Sequence, residues 1–179
     1  MKNINVTLKP LKPDDRERFI LDNQWAFKYG ALQEFGERDN HLDCDGEIIS
    51  RRTIERCIDD PQCETYHIVS EGKNVGGVIL KINNETHHNE LQILFTLPDE
   101  HSKGIGYGAW KAVEELHPET VVWETCTPYF EKRNIHFYVN KCGFHIVKYI
   151  NEKNPDPNTP DGFIGDGGDG MFVFEKVMR

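Results

Sequence analysis

The sequence predicts an α/β fold. Strand-like and helix-like runs follow one another along nearly the whole chain. One strand-like run passes through a short polar loop straight into a glycine-punctuated helix start, Phe95-Thr96-Leu97-Pro98-Asp99-Glu100-His101-Ser102-Lys103-Gly104-Ile105-Gly106-Tyr107-Gly108. A final strand-like run follows a long loop at 154–170, which argues for one domain, 1–179, rather than a core with a loose tail.

The elements follow in order. Residues 4–9 alternate as a first strand, ended by Pro10 and Pro13. Asp14 or Asp15 can cap a helix running toward Phe27, with Phe19, Ile20, Trp25 and Phe27 as its apolar positions. Residues 29–45 form a dense polar stretch with aromatics beside it. Residues 48–58 read as a second helix. Strands at 64–70 and 74–82 flank the turn Glu71-Gly72-Lys73-Asn74 and predict a hairpin. A strand at 89–96 leads into the glycine run, and the helix at 104–116 stops before Pro118. Residues 120–126 are rich in β-favouring types. A helix at 131–142 ends on Gly143 as a C-terminal cap, and strands at 144–150 and 171–177 complete the order.

The chain has 179 residues, enough for one domain with a sizeable core. Its formal charge of -9 argues against a general nucleic-acid backbone binder. That charge serves solubility, or it forms an acidic mouth for a cationic acceptor. No apolar run is long enough to span a bilayer, and the first residues lack an apolar signal core. A cytoplasmic protein without membrane contact is the expectation. Five cysteines form no CxxC pair, which suggests free thiols, with Cys126 and Cys142 as core residues. The histidines show no metal-binding arrangement, so no metal is expected.

Glycines at 104, 106 and 108 allow close approach of backbone to a ligand, and N–H groups at a helix start can hold a phosphate. A P-loop is excluded because no Gly-Lys-Ser/Thr follows. A dinucleotide fingerprint has Glu124 at roughly the right distance, but the glycines lie mid-chain after a hairpin and no second nucleotide-binding half follows.

The element order, the segment from Pro98 to Gly108, and Phe137-Tyr138-Val139-Asn140-Lys141-Cys142-Gly143-Phe144 together resemble the GNAT superfamily of acetyl-CoA-dependent N-acetyltransferases. The resemblance covers most of the chain and is strongest from 89 to 150. It implies a three-layer α/β fold around a central mixed, strongly twisted sheet. The family signature runs Gln or Arg, two residues, Gly, one residue, then Gly or Ala. Here it falls on His101 to Gly106, with His101 as a departure at the first position.

The resemblance implies acetyl-CoA as cofactor. Its pyrophosphate would rest on the backbone N–H groups of Lys103, Gly104, Ile105, Gly106, Tyr107 and Gly108. The pantetheine would lie where the strands ending near Thr96 and Cys126 splay. Tyr138 resembles the tyrosine that protonates the leaving sulfur. It stands five residues before Gly143 where the family has four, which implies a register shift or a distorted helix end. Asn134 resembles a cofactor-contacting asparagine. Glu90 matches the region of the family's base, with His87 and His88 in the preceding turn. Glu34, Glu37, Asp39, Asp43 and Asp45 could recognise a cationic amine.

The implied activity is acetylation of a primary amine on a small molecule. A peptide or protein amine is the enzymatic alternative, and a non-catalytic acyl-CoA-binding module is the alternative of another class. The resemblance also allows a homodimer.

Overall fold

Alternating burial shapes the strands. In the strand over His88–Thr96, Asn89, Leu91, Ile93 and Phe95 are buried and the residues between them are half-buried. The computed structural model describes residues 4–35, 46–101, 103–157 and 170–178. Its elements are β1 (Val6–Pro10), α1 (Arg16–Phe35), α2 (Arg51–Asp59), β2 (Cys63–Ser70), β3 (Lys73–Lys81), β4 (His88–Thr96), α3 (Ile105–Leu116), β5 (Val122–Pro128), α4 (Lys132–His136), β6 (His145–Ile150) and β7 (Met171–Val177). Among the described residues, seven strands form one sheet in the order β1-β2-β3-β4-β5-β7-β6. β4 and β5 run parallel and the other neighbours antiparallel, so the sheet is mixed as expected.

Each face of the sheet buries its own cluster. On one face Val78, Leu80 and Leu91 pack with Trp110 and Val113 of α3 and with Trp123, Phe144 and Phe174. On the other, Ile79, Ile93 and Phe95 meet Phe19 and Ile20 of α1 and Ile54 and Cys57 of α2. Gly77 in β3 makes the second contact possible. A Cβ there would fall 2.5 Å from the Phe95 ring and would also meet the Phe19 ring, so only glycine lets α1 settle this close. The two rings then pack edge to face, 5.3 Å apart.

Two helices depart from the sequence expectation. α1 continues past residue 27 to Phe35 because its later turns bury Ala26 and Ala31 and gain a Gln33–Tyr29 side-chain hydrogen bond of 2.7 Å. The polar stretch thus begins as helix. The side chains of Glu34, Glu37, Asp39, Asp43 and Asp45 lie outside the described residues. α2 starts at Arg51 rather than 48, because the Ser50 side chain accepts the Thr53 N–H at 3.0 Å and fixes the start there.

An ion network ties α3 to β7. The nearly buried Glu114 carboxylate accepts from Lys111 and Lys176, and Lys176 lies 5.6 Å from the Trp110 ring centre. Burial alone would push Glu114 up, but the two ammonium groups hold it below its ordinary value. A carboxylate depressed in the folded state stabilises the fold above its unfolded pKa, and that gain disappears as pH falls through the depressed folded value. Glu114→Gln is therefore expected to lose about 1–3 kcal/mol at neutral pH. Urea melts should show this deficit shrinking as the pH drops below the carboxylate range.

Candidate active site

β4 and β5 pair through three residues only, His88–Val122, Asn89–Trp123 and Glu90–Glu124, and then part. The joined end is pinned by the buried Asn89 amide, which donates to the Thr120 hydroxyl at 2.8 Å. On its other side β4 carries one extra residue against β3, since Ile79 faces Ile93 while Leu80 faces Leu91. That bulge at Gln92 bends β4 away from β5. β5 is held on its far side by a full ladder with β7. A cleft of about 720 Å³, open solvent included, fills the gap. Ile49, Thr53 and Cys57 line it from the α2 side, Gln92 to Leu94 from β4, Thr125 to Pro128 from β5, and Asn134 and Tyr138 from the α4 side. It shares Phe27, Leu94, Glu131 and Asn134 with a second groove that also takes in Gly30, Thr96, His101 and Arg133.

Thr96 and His101, which line this second groove, precede the start of α3 in the chain. Gly104 takes the left-handed conformation (φ +77°), and among the described residues no side chain caps the helix. The Gly108 N–H is the first to bond back, to Gly104 O at 3.0 Å. The N–H groups of Ile105, Gly106 and Tyr107 therefore have no partner within the helix. Ile105 turns its side chain into the core and Tyr107 is exposed. At Gly106 an added Cβ would touch the Phe137 ring at 3.5 Å.

Three expected cofactor contacts need correction or narrowing. Gly108 cannot offer its N–H, which the helix already uses. Its missing side chain instead admits Val6 of β1, whose Cγ2 would lie 2.9 Å from an added Cβ. The His101 ring turns inward, with Nε2 3.2 Å from Thr96 O and the ring edge-on to Tyr29 at 5.5 Å. Lys103 is paired with Glu100 at 2.9 Å.

The region of Tyr138 explains its unusual spacing. α4 ends at His136 and the chain continues as a π-helical turn, Phe137–Cys142. The Gly143 N–H bonds to Tyr138 O, five residues back. The wider turn absorbs the extra residue between Tyr138 and Gly143. Tyr138 is buried at the cleft wall, which it shares with Thr125, and Thr125 donates to Leu91 O at 2.9 Å. Burial pushes the Tyr138 phenol above its ordinary value. One turn earlier, Asn134 donates to Thr127 at 3.1 Å.

Glu90 lies one step back from the cleft. Its carboxylate accepts from the Gln92 amide at 2.5 Å, and it is Gln92 that lines the cavity. Across the sheet Glu90 aligns with Glu124, and Glu124 with Glu175. Burial first, then Glu90, Glu175 and Asp156, push Glu124 up. Cys126, expected in the core, lines the cleft, and burial pushes its thiol up to about 12. Cys142 is buried in the core as expected. Sequence reasoning missed Gln92, Thr125, Thr127 and Arg133. The alternating threonines of β5 were the available signal for two of them.

Residues 20–144 match the model of the acetyltransferase (GNAT) family. The chain therefore belongs to that family and is an N-acetyltransferase. It is 43% identical over 179 residues to the uncharacterized protein YrkN of Bacillus subtilis (strain 168), covering 97% of this chain and 94% of that one. Its fold is similar to the ribosomal-protein-S18-alanine N-acetyltransferase of Escherichia coli, with a TM-score of 0.67 at 12% identity over 98% and 95% of the two chains. It is also similar to the spermidine N-acetyltransferase of Vibrio cholerae in complex with CoA and spermine, with a TM-score of 0.65 at 15% identity over 97% and 95%. No helix among the described residues is long and apolar enough to cross a membrane.

The packing role of Gly108 is open to test. Gly108→Leu should lose about 1–3 kcal/mol of stability by displacing β1. Its affinity for coenzyme A, measured by calorimetry, should change by less than about twofold.

Proposed function

We propose that this chain, as a single domain, transfers an acetyl group from acetyl-CoA to the primary amine of a small cationic molecule. The observation that carries the reading is the parting of β4 and β5, which opens a cleft walled by the buried Tyr138, with the glycine-marked start of α3 following β4 in the chain. The residues present fit the cofactor. The N–H groups of Gly104, Ile105, Gly106 and Tyr107 would hold its diphosphate, and the Asn134 amide and the edge of β4 would flank its arm. When bound, acetyl-CoA supplies the activated acyl thioester.

Tyr138 holds its proton at neutral pH because burial disfavours the phenolate. Burial in the same cleft also disfavours a sulfur anion, and it pushes the Cys126 thiol up. A thiolate leaving here would need a proton, and Tyr138 is the protonated group at the wall that would supply it. At the α2 side, the row Glu90, Glu124 and Glu175 gives complementarity to a cationic amine. Burial raises Glu124 most, and the neighbouring Glu90 and Glu175 add to it, an effect a bound cation would offset. Glu90 would take the amine's proton through solvent, beside Gln92.

Calorimetry with acetyl-CoA, using NAD as comparison, comes first, followed by an amine screen beginning with polyamines and read as release of free thiol. Selective acetyl-CoA binding with amine-dependent release is expected. No binding overturns the reading, binding without transfer favours a non-catalytic module, and transfer to peptides alone moves the acceptor class. Tyr138→Phe should lower turnover by roughly 10²-fold with acetyl-CoA affinity nearly intact. Unchanged turnover removes Tyr138 from the acid role.

A further inference from the structure

We propose that Arg133 grips the diphosphate of the bound coenzyme from the α4 side of the groove, replacing the side chain at the first position of the glycine signature. This rests on the acyl-CoA reading above. The signature position is His101, whose ring is committed to Thr96 O and Tyr29. Burial pushes His101 down, and the nearby Arg133 charge adds to that, so its ring is neutral at neutral pH. Lys103 is bound to Glu100. The loop thus presents backbone donors with little side-chain charge of its own.

Arg133 supplies that charge from across the groove. It is exposed, lines the same groove as Thr96 and His101, and has no carboxylate within ion-pair distance among the described residues. Glu131 is the acid among the described lining residues. A short polar chain sets the height of the guanidinium. Arg133 Nη1 donates to Gln33 Oε1 at 3.4 Å, Gln33 Nε2 donates to the Tyr29 hydroxyl at 2.7 Å, and the Tyr29 ring stands against His101. The end of α1, the loop and α4 are therefore linked around the groove, with a planar, always-charged fork at its rim. That fork suits the paired oxygens of a diphosphate better than a carboxylate-bound lysine does.

The test is calorimetric binding of coenzyme A, dephospho-coenzyme A and pantetheine to the parent protein, Arg133→Ala and Arg133→Lys, with thermal melts as the folding control. Arg133→Ala should weaken both phosphate-bearing ligands by about tenfold or more and leave pantetheine unchanged. Arg133→Lys should fall between parent and alanine. A parent that binds no coenzyme A overturns the acyl-CoA reading and this inference with it. A parent that binds, with Arg133→Ala binding equally well, overturns the Arg133 assignment alone. Equal loss for pantetheine makes Arg133 a structural residue, and a loss absent with dephospho-coenzyme A moves it off the diphosphate.

Discussion

β4 and β5 are hydrogen-bonded at one end and unpaired at the other, and the site exists because of that mismatch. Backbone groups released from a ladder inside a protein must find other partners or weaken the fold by about 1–3 kcal/mol each. One is met by Thr125, whose hydroxyl donates to Leu91 O across the gap. The remaining edge of β4 is lined by cavity, which makes it a natural place for an amide-bearing ligand. The parting persists because each strand is anchored on its outer side, β4 to a bulged ladder with β3 and β5 to an unbroken one with β7.

The two faces of the sheet support this opening differently. On the α3 face Trp110, Trp123, Phe144 and Phe174 form a rigid aromatic cluster, with Trp110 and Trp123 edge to face at 5.5 Å. Tyr138 belongs to that cluster and to the cleft wall, so its position is set by core packing. On the other face α1 and α2 are pulled in by Phe19 over Gly77 and by Ile54, and their inner residues become the opposite wall. Among the described residues, core packing thus fixes both walls of the cleft.

Much of this was legible in the residues. The strand into glycine-rich helix was readable because the glycines, the preceding β-formers and the polar loop agree with one another. The hairpin and the last strand were readable for the same reason. The limits had physical causes. The end of α1 was obscured because its moment is weak, with Leu21, Trp25 and Leu32 exposed opposite the buried Ala26 and Ala31. The role of Gly108 was misassigned because a glycine needed for packing and one needed for a ligand look alike in sequence. Arg133 carried no signal, since its relation to His101 depends on how α4 meets the end of α1.

The π-helical turn after α4 changes how such a tyrosine should be located. An inserted residue would rotate everything beyond it by about 100° on a regular helix. Here the wider turn takes up that rotation after Tyr138, so the residues before it, Asn134 and the end of β5, keep their phase toward the cleft. The distance to the following Gly-Phe pair is then free to vary. In this chain the place of Tyr138 follows from its distance to β5, and the stretch between it and Gly143 is where the additional residue is accommodated.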